Sequence, residues 1–333
     1  MLKPYIKPHL SLEDQLAKLK SRGLKVADEG TALKYLHWNG YYRLSAYWYP
    51  FRVWVPALDG NGKQLFDKHG NPEYKRGDQF HAGSTFENAC DLYRFDKKLK
   101  LLLLDAIEKI EIAVRADIGL KLGAINTFAH LEPAFFTPNF TTRRNAQGRT
   151  KYDGWLEKFH HSIDRSKDEF VYHHQRKHGV KSPLPIWIAT ELWDFGQLST
   201  FYSGLNTPHR VTIASTFGIR DWSVMESWLK SLNYIRNIIA HHGRLWNKAL
   251  VIQPGLPAPG LISDFDILLQ NSTINTRIYF ICCILSHFSR MMNSQSMWPR
   301  QLRNLINEFP PMSHASIQNM GFPLDWQSHG FWN

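Results

Sequence analysis

The longest periodic pattern in the sequence extends from Thr85 to about Leu122. Apolar residues recur there at steps of three and four, which is the spacing of one face of an α-helix. The members of this stripe are Leu92, Phe95, Leu99, Leu103, Ile107, Ile110, Val114 and Ile118. Charged residues are frequent at the remaining positions, so the pattern predicts one long helix with a single buried face. Other helices must cover that face, which favours a mainly α fold built of helical bundles.

Shorter segments also carry helical signals. A serine precedes a carboxylate by three residues at Ser11, Ser84 and Ser223, and this spacing is typical of a helix start. Apolar periodicity predicts further helices over residues 30–52 with a break near Gly40, 155–178, 182–202 with a split at Gly196, 222–242, 274–292 and 299–309. The sequence has no run of regularly spaced strand patterns and no internal repeat.

Residues 56–83 differ from the rest of the chain. They contain the stretches LDGNGKQLF and KHGNPEYKRGDQF, which are rich in turn-forming pairs and lack helical periodicity. They therefore predict a loop or a small hairpin. On this basis we expect an N-terminal helical region with this insertion over residues 1–83, followed by a helical bundle domain over residues 84–333.

The charge of the chain constrains its partners. Lysine and arginine outnumber aspartate and glutamate by 40 to 29, which gives a formal net charge of +11. The basic residues are spread along the chain and are not collected in one tail. This distribution predicts a folded basic surface that meets a polyanion, either nucleic acid or an anionic membrane surface.

Cysteine content and hydropathy indicate the compartment. Cys90, Cys282 and Cys283 are too few for a disulfide framework, which fits a reducing environment. The N-terminal stretch MLKPYIKPHLSLEDQ has no apolar signal core. The longest apolar run, Ile278 to Leu285, is far shorter than the roughly 20 residues that a bilayer requires. We expect a cytoplasmic protein without a membrane segment.

The stretch LNYIRNIIAHHGRLWN, residues 232–247, combines an apolar helical stripe with chemistry-bearing side chains. The stripe consists of Met225, Trp228, Leu232, Ile235 and Ile239. Asn237 and His241 are four residues apart and share the opposite face, whereas Arg236 flanks the stripe. Gly243 predicts the end of the helix, where its dipole favours a positive charge on His241 and His242.

Two interpretations of this helix end are open on spacing alone. An arginine four residues before a histidine is common, and it more often forms a structural ion pair and a helix cap than a reaction centre. On an ideal helix, Arg236 and His241 also point about 140° apart. One straight helix therefore does not direct both side chains at one atom.

The wider pattern resembles the abortive-infection (Abi-like) proteins of bacteria, which are members of the HEPN superfamily. The resemblance rests on YIRNIIAHHGRLWN together with further blocks in the family's order. These blocks are SLEDQLAKLKSRGL, YLHWNGYYRLSAYWYPFR, TFENACDLYRFDKKLKLLLLDAIEKIEIAVRADI, PIWIATELWDFGQLSTFY and MGFPLDW. Together they span roughly residues 10–326, and the match is weakest over residues 56–83.

The resemblance implies a HEPN-type helical bundle and a metal-independent ribonuclease site formed by Arg236, Asn237 and His241. Such ribonucleases bring two copies of the motif together, and this chain carries one copy. The resemblance therefore implies a homodimer with a composite cleft. In such a cleft, Arg236 and His241 of the same helix do not need to point at one atom. It implies RNA as substrate, a regulatory noncoding RNA as a second partner, no cofactor, and a toxin-like role in antiviral defence.

Further residues are weaker candidates for the site. His242 is the nearest rival of His241. Glu108, Glu111 and Arg115 share one helix face and form either a structural ion pair or a second layer that positions the Arg236 helix. Arg244, Trp246 and Lys248 either contact RNA or, for Trp246, pack beneath the helix end. Arg143 and Arg144, in a loop with Arg149 and Lys151, either contact phosphate or are solvated charges.

Other site classes find less support in the sequence. His160, His161, His173, His174 and His178 have no zinc-site spacing with carboxylate or cysteine, so we expect no metal site. The sequence contains no phosphate-binding loop, dinucleotide fingerprint or GxSxG motif. The rivals of a ribonuclease are a non-catalytic RNA-binding protein and a regulatory protein that dimerises through its bundle.

Overall fold

The computed structural model describes residues 8–332, and within this range the fold is mainly α, as predicted. The first seven residues, to which part of the expectation about a signal core applies, lie outside the described residues. The helices are α1 Leu12–Ser21, α2 Glu29–Asn39, α3 Tyr41–Trp48, α4 Phe86–Gly123, α5 Pro138–Thr141, α6 Lys151–Arg165, α7 Glu169–His178, α8 Ile186–Ala189, α9 Phe195–Gly204, α10 Thr207–Thr216, α11 Trp222–Ala240, α12 Ser263–Asp266, α13 Ile278–Met292 and α14 Trp298–Asn307. The strands β1 Arg52–Pro56 and β2 Tyr74–Phe80 form one antiparallel pair.

The described chain divides into two compact units. The first comprises residues 8–99 and 305–319, and the second comprises residues 100–304 and 320–332. The boundaries fall inside α4 and inside α14, so neither unit is one continuous stretch of the sequence. The predicted boundary between residues 83 and 84 stays a prediction.

In the first unit, α1, α2 and α3 pack around buried apolar side chains such as Leu19, Leu44 and Trp48. The chain breaks between α2 and α3 at Gly40, as predicted. Gly40 has a φ of 78°, a left-handed conformation that glycine adopts without steric cost. Inside this unit the phenol of Tyr47 donates a hydrogen bond of 2.7 Å to the carboxylate of Asp96.

The insertion between β1 and β2 is a hairpin closed by two turns of the same construction. The Asp59 side chain accepts hydrogen bonds from the backbone N–H groups of Asn61 and Lys63, and Gly62 follows with a φ of 82°. Asp67 and Gly70 repeat this arrangement eight residues later. An aspartate that bonds the backbone two residues on, followed by a left-handed glycine, is a common turn device. The predicted hairpin is thereby confirmed.

The second unit is built around α13, in which every residue from Ile278 to Ser289 is buried. The stripe of α4, from Leu103 to Ile118, and that of α11 are also buried, as their periodicity predicted. Each fully buried leucine or isoleucine of these stripes contributes about 1.5–3 kcal/mol relative to exposure. Helix α11 packs against α9, α10 and α13, and this packing fixes the face that it presents outward.

The capping residues predicted for two helices were wrong. Helix α4 begins after Thr85, whose hydroxyl accepts from the N–H of Asn88, and not at Ser84. Helix α11 is capped by Asp221 and not by Ser223. Thr85, one residue after Ser84, and Asp221, two residues before Ser223, take the capping role, because several residues can bond the same free N–H groups.

Two further breaks differ from the prediction. The helix expected over residues 155–178 is divided into α6 and α7, because Ser166 and Asp168 hydrogen-bond to one another in extended conformation. The break expected at Gly196 lies at Trp193 and Asp194. The sequence also gave no warning of α10, which is rich in threonine and has no clear apolar stripe.

Candidate functional site

Helix α11 ends in an unusual way at the histidine pair. His241 is the C-cap residue, and His242 follows with a φ of 56°, the one left-handed non-glycine residue between residues 8 and 332. The N–H of Gly243 bonds the carbonyl of Ile238 at 2.8 Å, and the N–H of His242 bonds that of Ile239 at 2.9 Å. This pair of bonds is a Schellman motif in which histidine occupies the position that glycine usually takes.

Gly243 is therefore not the left-handed residue that ends the helix, which corrects the expectation from sequence. A Cβ at position 243 would lie 2.9 Å from Cγ2 of Ile238 and 3.2 Å from its carbonyl oxygen. Glycine is needed at position 243 because the chain passes too close to Ile238 for a side chain to fit. The carbonyl of Gly243 accepts from the ammonium of Lys100 at 3.2 Å, so a cation from α4 lies at the negative end of α11.

Arg236 and Asn237 lie together on the outer side of α11. The guanidinium of Arg236 donates to the side-chain oxygen of Asn237 at 3.3 Å. Both residues line a groove of about 520 Å³ between α6, α9 and α11, and we call it the α6–α9–α11 groove. Its lining residues are Lys151, Gly154, Trp155, Lys158, Asp194, Gly196, Gln197, Thr200, Asn233, Arg236 and Asn237.

The groove wall formed by α9 is fixed by a capping box. The Asp194 carboxylate accepts from the N–H of Gln197 at 2.7 Å, and the Gln197 side-chain oxygen accepts from the N–H of Asp194 at 3.2 Å. Gln197 is only 5% exposed, and its amide Nε2 has no hydrogen-bond partner among residues 8–332. A buried donor without an acceptor costs about 1–3 kcal/mol, so the Gln197 amide is a destabilising group in the wall of the groove.

Glu111 connects α4 electrostatically to Arg236. Its carboxylate forms an ion pair with Arg115, and the guanidinium of Arg115 also donates to the carbonyl of Trp193, just before α9. Burial raises the pKa of Glu111, and the positive charges of Arg115 and Arg236 partly oppose that rise. Arg115 thus ties α4 to the start of α9, while Glu111 places a carboxylate near Arg236.

The raised pKa of Glu111 predicts how the stability of the wild type, relative to the Glu111→Gln variant, depends on pH. A carboxyl with a raised pKa in the folded state binds its proton more tightly than in the unfolded chain. Its contribution to the free energy of unfolding therefore falls as pH rises above its ordinary value of 4.5. Relative to the variant, the wild type should lose stability as pH rises above about 4.5. Urea unfolding at several pH values measures this difference, and a constant difference would contradict the prediction.

Gly154 offers a second prediction at the groove. It lies inside α6, its φ is not left-handed, and a Cβ built there has no atom within 4 Å. Alanine loses less backbone entropy on folding than glycine, so Gly154→Ala should raise the free energy of unfolding by about 0.5–1 kcal/mol. Thermal or urea unfolding tests this, with Gly40→Ala, at a left-handed position, expected to be destabilising.

The structure separates the residues predicted for the site. Arg236 and Asn237 line the groove, whereas His241 is exposed at the helix end and is not among the lining residues. His242 is exposed beside it, with its backbone in the left-handed conformation. Glu108 is exposed on α4 and contributes only a minor charge effect at Glu111.

The weaker candidates for RNA contact are distributed unevenly. Trp246 is fully buried, which corresponds to packing beneath the helix end, and its ring has no free face for a base. Arg244 and Lys248 are half-buried in the segment after α11. Arg143 and Arg144 are exposed, and Arg144 bonds the carbonyl of Gly148 in its own loop.

Sequence reasoning missed several lining residues, namely Lys158, Asp194, Gln197, Thr200 and Asn233. For Asn233 a signal existed, because it lies four residues before Asn237 and therefore shares its face. For Asp194 and Gln197 the three-residue spacing of a capping box was also present in the sequence. Lys158 and Thr200 carry no local signal, because only the packing of α6 and α9 brings them to α11.

The fold and the groove define a mainly helical protein with a basic, amide-lined groove along its Arg-Asn helix. A family model described as Abi-like protein matches residues 34–247, which include Arg236, Asn237 and His241. The chain belongs to the Abi-like protein family, whose name associates it with abortive infection. Comparison with curated proteins and with solved structures found no match.

The described chain contains neither a metal-binding cluster nor a membrane-spanning helix. Residues 8–332 contain no group of three or more histidine, cysteine, aspartate or glutamate side chains placed to hold a metal ion. No helix in that range is both long and apolar enough to cross a bilayer.

Proposed function

We propose that the protein is a metal-independent endoribonuclease of the HEPN type that acts in abortive infection. Arg236, Asn237 and His241 form its active site, and two copies of the chain assemble into a homodimer whose composite cleft holds the RNA. The observation that carries the proposal is the hydrogen-bonded Arg236–Asn237 pair in a basic groove, one helical turn before an exposed histidine.

The chemistry requires few protein groups because RNA supplies its own nucleophile. The ribose 2′-hydroxyl loses its proton and its oxygen forms a bond to phosphorus, while the bond from phosphorus to the 5′ oxygen breaks and that oxygen gains a proton. His241 transfers protons, for which imidazole is suited near neutral pH. Arg236 is permanently charged and its planar fork matches phosphate oxygens. Asn237 orients the Arg236 guanidinium through their hydrogen bond.

The dimer is part of the proposal because of where the side chains lie. In one chain Arg236 lines the groove, whereas His241 occupies the helix end and is not among the lining residues, so we assign the histidine of each site to a second copy. A second copy related by a twofold axis presents the same surface, and an isologous contact at the α11 ends supplies the missing histidine.

The test is cleavage of a labelled RNA by the purified protein in EDTA. The proposal predicts products with a 2′,3′-cyclic phosphate and a 5′-hydroxyl, no cleavage of the DNA of the same sequence, and no effect of the chelator. Intact RNA under these conditions, from a protein that is folded and dimeric, would contradict the proposal.

A second candidate function is RNA binding without cleavage, for example of a regulatory noncoding RNA. The position of His241 outside the groove lining favours it, because the groove then contains the means to bind phosphate without a proton-transfer group. In that case His241→Ala leaves RNA affinity unchanged and no cyclic phosphate is formed.

A further inference from the structure

We propose that the α6–α9–α11 groove binds a single-stranded segment of RNA next to the scissile bond, with Lys151 and Lys158 as phosphate contacts and Asn233 and Gln197 as amide contacts. The inference rests on the proposed function for the identity of the ligand as RNA. It goes beyond that function by assigning substrate-binding residues outside the Arg-Asn motif, on α6, α9 and an earlier turn of α11.

The spacing of the lining residues shows that each helix turns one continuous face to the groove. Helix α6 contributes Lys151, Gly154, Trp155 and Lys158, which follow steps of three, one and three residues. Helix α11 contributes Asn233, Arg236 and Asn237 at steps of three and one. Residues at these spacings lie on one side of a helix. The polar side chains of the groove are therefore arranged in rows along it.

The cations of the groove are only partly neutralised by the protein. Lys151, Lys158 and Arg236 form no ion pair among residues 8–332, although the Glu111 carboxylate on α4 attracts Arg236, whereas the nearby Arg149 is paired with Glu157. The one carboxylate in the lining, that of Asp194, already accepts the N–H of Gln197. Three cations against one engaged carboxylate favour a ligand with several negative charges.

The lining also distinguishes a nucleic-acid backbone from a small apolar ligand. Small-molecule sites are lined mostly by apolar and aromatic side chains, with few polar groups. Here the only large apolar residue in the lining is Trp155, which is buried and donates its indole N–H to the carbonyl of Gln197 at 3.0 Å. Cations with hydroxyl and amide side chains are the groups that contact phosphate and sugar.

Gln197 provides a second, independent indication of a ligand. Its oxygen is used in the capping box, but its Nε2 donor has no partner among residues 8–332 although the side chain is 95% buried. The Nε2 atom itself is closed to solvent, so a ribose or base oxygen in the groove would satisfy this donor only after the Gln197 side chain turns toward the groove. Sequence-specific recognition of RNA uses such contacts to unstacked bases, which only single strands expose fully.

The experiment measures binding of a fluorescent 2′-O-methyl RNA oligonucleotide, which keeps the phosphates and is not cleaved, by anisotropy at several salt concentrations. Two variants at Gly154 test occupation of the groove, since a side chain there meets no protein atom at its Cβ. Gly154→Glu and Gly154→Gln have the same shape, and both residues favour helices. We expect Gly154→Glu to weaken binding about tenfold or more relative to Gly154→Gln, because only the former repels phosphate.

Two lysine variants test the phosphate contact itself. Lys158→Ala should lower the slope of log affinity against log salt by about 0.7–1, the value for one lost phosphate contact. Lys167→Ala removes an equal charge from an exposed position outside the groove and should leave the slope unchanged. Equal slopes for these variants, or equal affinities of the two Gly154 variants, overturn the inference. Tighter binding of duplex than of single-stranded RNA overturns it too.

Cleavage of unmodified RNA by the wild type is measured in parallel, so that two failures can be told apart. If the wild type leaves RNA intact while the groove variants still lose affinity, the ribonuclease proposal fails and the binding site stands. If the wild type cleaves RNA but the groove variants bind like their controls, the site assignment fails and the ribonuclease proposal stands.

Discussion

Replacing His241 by alanine is expected to lower the rate of RNA cleavage about 10²–10⁴-fold, because the variant lacks the proton-transfer group of the proposed reaction. Folding should be unaffected, since His241 is exposed and its helix end is held by backbone hydrogen bonds of residues 242 and 243. Single-turnover cleavage of a labelled RNA measures the rate, and circular dichroism checks the fold. A His241→Ala protein that cleaves at the wild-type rate would exclude this residue as the catalyst.

His242 requires its own control because it is the adjacent histidine. Its backbone is left-handed, so alanine at this position would add strain and confuse a loss of stability with a loss of activity. Asparagine tolerates this conformation better than other non-glycine residues, which makes His242→Asn the matched variant. We expect it to retain most of the cleavage rate. The opposite result, with activity lost here and kept in His241→Ala, would move the catalytic role to His242.

Two substitutions of Arg236 distinguish, in the same assay, the effect of its positive charge from the effect of its planar shape. Arg236→Ala should reduce cleavage by about 10²–10³-fold, the typical effect of removing one stabiliser of developing negative charge. Arg236→Lys keeps the positive charge but loses the planar fork and its hydrogen bond to Asn237, so only partial rescue is expected.

Mixed dimers test whether the site is composite. If each site takes Arg236 from one chain and His241 from the other, a dimer of an Arg236→Ala chain with a His241→Ala chain keeps one intact site of two. Half of the dimers in an equal, exchanged mixture are of this mixed kind, so roughly one quarter of the wild-type activity returns. A site formed within one chain predicts no recovery on mixing.

The parts of the fold that depend on local pattern could be predicted from the sequence. The buried stripes of α4 and α11, the break at Gly40 and the hairpin in residues 56–83 follow from periodicity and turn chemistry within short windows. The caps of α4 and α11 were misplaced, because neighbouring polar residues compete for the same free N–H groups and tertiary contacts decide. Glu87, expected in a capping box, instead accepts the N–H of Ala27 at 2.9 Å.

The candidate site also combines features that follow from local sequence with features that depend on tertiary packing. Arg236, Asn237 and His241 stand out within one short stretch, and the side of α11 that bears Asn237 follows from its stripe. The groove does not follow, because it is formed by residues of α6, α9 and α11 that are separated by up to 86 positions, from Lys151 to Asn237. No pattern in a single sequence encodes such a juxtaposition. Trp246 illustrates the converse, since an aromatic residue next to a motif is here buried in the core.

The largest expected effect on stability concerns His130, far from the motif in sequence. Its side chain is fully buried beside the rings of Phe159 and Trp193, and neither ring nitrogen has a hydrogen-bond partner among residues 8–332. Burial lowers its pKa from an ordinary 6.5 to about 3. The folded protein therefore holds a neutral imidazole where the unfolded chain becomes charged in mild acid.

The sign of the resulting pH dependence follows from that lowered pKa. The contribution of His130 to stability is complete above about pH 6.5 and is lost progressively as pH falls toward 3, since the unfolded state binds the proton more tightly. At pH 4 the loss amounts to about 3 kcal/mol, because about two and a half pKa units of the shift then act at 1.36 kcal/mol each. His130→Phe and His130→Leu lack this titration.

The difference in free energy of unfolding between each variant and the wild type should therefore shift by about 3 kcal/mol in favour of the variant when the pH is lowered from 7 to 4. This shift does not depend on the stability of the variant at pH 7. That baseline will differ between them, because phenylalanine can overpack the site and leucine can leave a gap, whereas both remove the unsatisfied ring nitrogens. Using two replacements of different shape separates the pH-dependent gain from these packing effects. Urea unfolding at both pH values gives the two differences. If wild type and variants lose stability in parallel on acidification, the imidazole is protonated or solvated in the folded protein, and the apolar environment of His130 described above is wrong.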